Sequence, residues 1–292
     1  MFLNDYLRNK YGEKVYKLSF DLGAGCPNRD GTLGTGGCAF CSEGGSGDYA
    51  VLVNDMNFDD KIAEAREKVS KKSDCNKFIA YFQSHTNTYV KGNITSDYLE
   101  RVFTKAANNP DIVGIAIGTR ADCIDEETVE MLLRIKKIKP LWVEIGLQTV
   151  SDKIRDEMNC CFKLNSFEKS YRLLKENGID VVVHMIVGLP GENREDYFKT
   201  AEYIASINPF GIKIQLLHVL KNTKLADKYK DERFYILSME EYTDIVAQII
   251  KKMPENTVIH RITGDGPKDL LIEPKWSTDK KKVLNTINKK LK

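Results

Sequence analysis

Short apolar runs and longer amphipathic stretches take turns along this chain, and the alternation is regular enough to predict an architecture. After the run Tyr16 to Phe20, apolar positions recur at helical spacing in Phe58 to Lys72, where Ile62, Ala65 and Val69 form one stripe. The run Lys77 to Phe82 reads as a strand, and a helix follows from Ser96 with Leu99, Val102 and Phe103 on one face. A strand from Ile112 to Ile117, a helix from Asp125 to Lys137 and a strand from Leu141 to Gln148 continue the cycle. Ser166 to Asn177 is a helix stopped by Gly178, and the apolar run from Asp180 to Val187 is the fifth strand. Arg194 to Ile207 and the strand starting at Gly211 make the sixth unit, and Ser238 to Met253 is a helix placed to close the open side. Six strand–helix units in series predict an α/β fold, a partial (β/α)6 barrel over residues 1–225 with a short C-terminal extension over 226–292.

A polar group follows every strand of this pattern. Cysteines follow the first, Ser84 to Thr88 the second, Arg120 and Asp122 the third, Gln148 the fourth, Gly188 to Glu192 the fifth and His218 the sixth. In a parallel barrel those strand ends share one face, where active sites lie. Along the fourth strand, period-two alternation puts Glu144 with Trp142 and Gly146, opposite Val143 and Ile145. Either face satisfies the pattern, so Glu144 receives no role from sequence.

Composition narrows the class. A single barrel domain fits 292 residues. No apolar run approaches membrane-spanning length and charges interrupt the N-terminal segment, which predicts a cytoplasmic protein without a signal peptide. Seven cysteines, an odd number, then read as reduced thiols and metal ligands and not as a disulfide framework. The net charge is +2, yet residues 275–292 carry seven lysines against Asp279 alone, so the remainder is net negative. That basic segment reads either as an electrostatic handle for nucleic acid or as a solvated helix end.

Cys26, Cys38 and Cys41 share one glycine-rich loop, residues 21–48, directly after the first strand. Thiolates suit iron–sulfur clusters and zinc, and the glycines let the backbone fold so that distant sulfurs converge. Three cysteines leave one iron of a four-iron cluster without a protein ligand, and an open position distinguishes a reactive metal site from a structural one. Zinc would need a fourth ligand, and none of His85, His184, His218 and His260 lies near the loop in sequence. Unligated thiols are the third reading. Phe40 adds an apolar wall, whereas Cys75, Cys123, Cys160 and Cys161 have no ligand spacing to the loop.

With these motifs assembled, the sequence resembles the radical S-adenosylmethionine (SAM) enzymes. The residues that carry the resemblance are Cys-Pro-Asn-Arg-Asp-Gly-Thr, Gly-Gly-Cys-Ala-Phe-Cys, Thr-Asn-Thr-Tyr, Gly-Thr-Arg-Ala-Asp, Gly-Leu-Gln-Thr and Gly-Leu-Pro-Gly-Glu, between Lys17 and Trp276. Within the family they look like the bacterial YhcC/YtqA-type branch, itself similar to the radical domain of the elongator catalytic subunit. The eleven-residue gap between Cys26 and Cys38, longer than the usual three, matches that branch.

The resemblance implies a [4Fe-4S] cluster on Cys26, Cys38 and Cys41 whose open iron takes the amino and carboxylate groups of SAM. It also implies an electron donor such as flavodoxin or ferredoxin, and cleavage of SAM to a 5′-deoxyadenosyl radical. Ser84, His85 and Thr86 match the corner that holds the SAM amino group, Gln148 and His184 match positions around the ribose and carboxylate, and Gly188 lies where adenine packs. Relatives carry an arginine where this chain has Cys160, in Asn159-Cys160-Cys161-Phe162, which leaves Arg120 or Arg155 to stand in for it. The expected substrate is a wobble-uridine side chain of transfer RNA; a small metabolite is the alternative, and a zinc-bound RNA-binding module without catalysis the second alternative. His218, Arg261 and Asp265, with His260 and Lys268, are the substrate-side residues, and segment 260–269 reads as a lid or as a plain surface turn.

Overall fold

The computed structural model describes residues 1–45, 50–70, 75–264 and 266–292; residues 46–48 of the expected cysteine loop, the last two of the helix expected to reach Lys72, and Asp265 fall outside them. Its strands are β1 (Val15–Asp21), β2 (Val51–Leu52), β3 (Lys77–Phe82), β4 (Ile112–Thr119), β5 (Leu141–Gln148), β6 (Asp180–Val187), β7 (Gly211–Leu216), β8 (Val219–Leu220), β9 (Val258–Arg261) and β10 (Leu271–Glu273). Eight of them form one parallel sheet in the order β2-β1-β3-β4-β5-β6-β7-β9. The last strand comes from beyond residue 226, and β8 pairs with β10 in a separate antiparallel pair.

The helices are α1 (Leu3–Tyr11), α2 (Phe58–Ser70), α3 (Ser96–Asn108), α4 (Glu126–Ile138), α5 (Asp152–Glu157), α6 (Leu164–Glu176), α7 (Arg194–Ile207), α8 (Lys224–Glu232), α9 (Met239–Lys252) and α10 (Lys280–Leu291). Their starts follow side-chain chemistry. Thr95 accepts from the backbone N–H of Tyr98 at the head of α3, Asp125 from Thr128 at α4, and Asn193 and Ser238 build reciprocal capping boxes at α7 and α9. On α3 the buried positions Leu99, Val102, Phe103, Ala106 and Ala107 keep the 3–4 spacing that lays one stripe against the sheet.

Strand parity sorts the two sheet faces. Phe78, Ala80 and Phe82 of β3, Val143, Ile145 and Leu147 of β5, and Val181, Val183 and Met185 of β6 enter the core shared with the helices. The alternate residues Ile79, Tyr81, Trp142 and Val182 gather on the other, concave face with Leu7 of α1 and Phe210. That face is strongly curled: Lys213 Nζ of β7 reaches Tyr81 Oη of β3 at 2.9 Å. In a flat sheet, strands four places apart stand roughly 19 Å from each other. Among the described residues no helix is long and apolar enough to cross a membrane.

Phe103 is fully buried and meets Phe82 edge-on at 4.9 Å between ring centroids. Phe103→Ala should cost about 3–5 kcal/mol, read as a lower urea midpoint at unchanged slope; a loss below about 1 kcal/mol would mean that α3 does not anchor the sheet.

Candidate active site

A cavity of about 250 Å³ opens among the C-terminal ends of the sheet strands and runs inward along the concave face. Its mouth is walled by the cysteine loop, whose form depends on local contacts. Gly36 and Gly37 take positive φ, the Gly37 N–H donates to Asn28 O at 2.7 Å, and a Cβ on Gly37 would stand 2.9 Å from Arg29 Nε. The loop is also stitched to the chain after α5: Ala39 N–H donates to Met158 O, Asn28 Nδ2 to Asn159 O, and Asn159 Nδ2 to Gly37 O. Cys26, Cys38, Phe40 and Cys41 all line the cavity.

Cys38 sits under several donors. Asn28 Nδ2 lies 3.6 Å and Arg120 Nη1 4.0 Å from its sulfur, and the Cys160 and Cys41 thiols bear on it as well. The neighbouring Cys160 and Cys41 thiols, with Arg120 beyond them, hold the Cys38 thiol well below the ordinary range, whereas contact with Cys38 and burial push Cys41 well above it. Among the described residues no three His, Cys, Asp or Glu side chains close on a point where a single ion would sit. A cubane asks for a different arrangement, because each thiolate binds a different iron, and three loop thiols spread around one cavity mouth fit it.

The facing wall is polar. His85, Thr86, Arg120, Gln148 and His184 line the cavity, while Ser84 and Gly188 do not: Ser84 is fully buried behind the wall, and Gly188 forms a turn at φ +104°. Gln148 takes the left-handed conformation at φ +64°, beside a register shift between β5 and β6, and a Cβ on Gly146 would stand 2.5 Å from its Nε2. Thr86 Oγ1 and Gln148 Oε1 are buried without a hydrogen-bond partner among the described residues. Buried polar atoms are ordinarily satisfied, so the wall keeps hydrogen-bonding capacity for a polar ligand.

Of the two arginines expected near the place of Cys160, Arg120 stands in the cavity and Arg155 does not. Asp122 grips Arg120 through both oxygens at 2.8 and 2.7 Å, and Nη2 also donates to Cys160 O at 2.9 Å. Arg155 is buried at the base of α5, where it donates to Thr149 O. Cys160 itself is buried and lines the cavity.

On the substrate side, His218 and Arg261 line the cavity, and Asp265 lies outside the described residues. His260 belongs to β9, buried edge-on against Trp142 and Phe210, and not to a segment over the opening. Gly264 and Gly266 line the cavity, and a Cβ on Gly264 would stand 2.6 Å from His218 Cε1.

Deeper in, His184 and three side chains to which the sequence gave no role, Lys17, Trp142 and Lys213, converge on Glu144, which is fully buried. Its Oε1 accepts from Lys17 Nζ at 2.8 Å and Trp142 Nε1 at 3.0 Å; its Oε2 accepts from His184 Nε2 at 3.0 Å and from Lys213. His184 Nδ1 accepts from Gln215 Nε2 at 3.2 Å, so the neutral Nε2–H tautomer satisfies both contacts. Burial opposes the charge on Glu144, but Lys17 and Lys213 outweigh it and hold the carboxyl well below its ordinary range. Burial and the adjacent Lys213 lower His184 to about 4, and burial lowers Lys213 to about 7. A polar residue inside each of three apolar runs, Glu144 in β5, His184 in β6 and Lys213 in β7, was the sequence signal for this cluster.

The chain matches the model of the radical SAM superfamily over residues 22–204 and that of the radical SAM C-terminal domain over 209–292. It is 39% identical to YtqA of Bacillus subtilis, an alignment covering 99% of this chain and 88% of that one, and 31% identical to YhcC of Escherichia coli, covering 94% and 86%. Its fold is similar to that of the archaeal Methanocaldococcus infernus Elp3 lacking residues 1–46, with a TM-score of 0.70 at 18% identity, covering 94% of this chain and 63% of that one.

Between about pH 6.5 and 4 an unfolded histidine binds a proton that His184 refuses, so stability should fall as pH drops through that window. His184→Gln should remove up to about 2–3 kcal/mol of this dependence in urea titrations. An identical pH profile in the variant would mean that His184 is charged in the fold.

Proposed function

Because the chain belongs to the radical SAM superfamily and is one of its enzymes, we propose that Cys26, Cys38 and Cys41 hold a [4Fe-4S] cluster and that SAM lies between it and the facing polar wall. The observation that carries this reading is the single cavity that gathers the three loop thiols with the unpartnered Thr86 and Gln148. Bound there, the pair would supply one-electron cleavage of SAM to a 5′-deoxyadenosyl radical, with the electron coming from a flavodoxin- or ferredoxin-type donor.

The chain's own residues prepare the site. Gln148 and Thr86 offer hydrogen bonds to the polar groups of SAM, and Arg120, held by Asp122, supplies the fixed positive charge that its carboxylate needs in place of the missing arginine. His85 closes the mouth beside Gly45, Ser84 and Gly188 shape the wall from behind, and Phe40 keeps water from one side. His218 and Arg261 meet the substrate, with Asp265 as the third substrate-side residue.

We take that substrate to be a wobble-uridine side chain of transfer RNA. Two features support this: the motifs shared with the elongator radical domain, and the lysines of α10. That helix is docked through buried Val283 and Ile287, and Lys281, Lys282 and Lys289 line one surface groove on it. A docked, lysine-lined helix suits phosphate contacts.

Anaerobic reconstitution should load about four irons and four sulfides. Cys26→Ala, Cys38→Ala and Cys41→Ala should each abolish loading, whereas Cys75→Ala should not. Gln148→Ala should retain iron yet bind SAM about ten- to a hundredfold more weakly, as loss of one buried polar partner predicts. Stoichiometric zinc without visible absorption would sink the assignment.

Because truncating α10 would uncover the seat of Val283 and Ile287, the partner is better tested by substitution. Lys281→Gln, Lys282→Gln and Lys289→Gln together should weaken transfer RNA binding and flatten its log–log salt slope by about 2–3. An unchanged slope would leave α10 as a solvated helix, and no binding by either protein would favour the small-molecule substrate.

A further inference from the structure

Three donors from separate parts of the chain close on the sulfur of Cys38: Asn28 Nδ2 at 3.6 Å, Arg120 Nη1 at 4.0 Å and the thiol of Cys160. The fully buried Asn28 uses the same nitrogen to donate to Asn159 O at 2.5 Å. A carbonyl accepts only, so that contact fixes the amide with its nitrogen, not its oxygen, towards the sulfur. Arg120 is fixed as well, by both oxygens of Asp122.

Cys160 is pinned more closely still. Its N–H donates to Arg155 O at 2.9 Å, its carbonyl accepts from Arg120 Nη2 at 2.9 Å, and its side chain belongs to an apolar cluster with Ile154, Met158 and Ile186. The residues on either side, Asn159 and Cys161, both take the left-handed conformation, at φ +52° and +59°. Asparagine tolerates that conformation and cysteine seldom adopts it. Backbone held in this way on both sides of one buried thiol fixes the direction in which the thiol points.

We infer that Cys160 is a positioning residue for electron transfer: its thiol donates to the Cys38 sulfur and, with Asn28 and Arg120, raises the potential at which the cluster accepts its electron. The inference rests on the reading that Cys38 ligates iron. A thiolate bound to iron has no proton to give, so the shared hydrogen belongs to Cys160, and apolar surroundings keep a buried cysteine in its thiol form. Reduction adds a negative charge that the ligand sulfurs share. Donors aimed at one of those sulfurs therefore favour the reduced cluster over the oxidised one.

The test is an anaerobic reductive titration of reconstituted protein without SAM, with the reduced cluster followed by electron paramagnetic resonance. Cys160→Ala should load iron as the wild type does yet be about tenfold harder to reduce, a shift of about 59 mV to more negative potential. Cys160→Ser keeps a donor of similar size and should recover most of that shift, while Cys75→Ala should match the wild type. An unchanged potential in Cys160→Ala would overturn the inference. So would equal shifts in the alanine and serine variants, the result expected if Cys160 were itself bound to iron. If Cys160→Ala fails to load iron, Cys160→Val, which fills the space of the thiol without its proton, takes its place with the same expected shift. If neither loads, electron–nuclear double resonance on reduced wild type assembled in heavy water decides: exchangeable deuterons coupled to the cluster are expected, and their absence would overturn the inference. A wild type that takes up no iron would instead count against the cluster reading itself.

Discussion

Glu144 ties the concave face of the sheet together, because its one carboxylate collects donors from β1, β5, β6 and β7, and Lys213 passes the connection on to Tyr81 of β3. A flat sheet could not bring these side chains within hydrogen-bond distance. The ion cluster and the curl therefore require each other: the charges are tolerable only when enclosed and paired, and the enclosure exists only when the strands bend around them. Removing Glu144 alone would leave the buried Lys213 and the half-buried Lys17 without their carboxylate, a change of the kind that costs about 3–5 kcal/mol.

Above this hub the cavity is organised by function along its length. The mouth offers thiols, the middle offers neutral hydrogen-bonding groups from Thr86, Gln148 and His184, and the floor holds the ion cluster around Glu144. Each layer comes from residues at or just beyond strand ends, or from the inward parity of the strands below. Under the proposed function the channel would take the cluster at its mouth and SAM against its polar wall, which is what radical chemistry needs if a reactive species is to meet its target without meeting water.

The strand–helix cycle was legible in the sequence because β5 and β6 are short, nearly continuous apolar runs buried on both faces, whereas α3 and α9 carry apolar stripes at three-to-four spacing. The polar corners were legible because parallel strands all end on one side. The Glu144 cluster was not, since its partners are far apart in sequence and meet only through curvature. His260 looked like part of a polar glycine-rich segment, yet two apolar neighbours, Val258 and Ile259, carry it into β9. The short strands β2, β8 and β10 have too few residues to show a period. Cys160, placed by sequence only as a lost arginine, proves to be a buried thiol beside Cys38, and Arg120 reaches the same sulfur from the other partner strand end.

In the proposed site the three loop cysteines would leave one iron of a cluster open to SAM beside the polar wall. Mössbauer spectra of iron-57 protein, recorded before and after SAM is added, test it most directly. The account predicts one iron in about four with distinct parameters that change when SAM binds, and no such change in Gln148→Ala at a SAM concentration that saturates only the wild type. Four equivalent irons indifferent to SAM, or a protein that takes up zinc in place of iron, would contradict it.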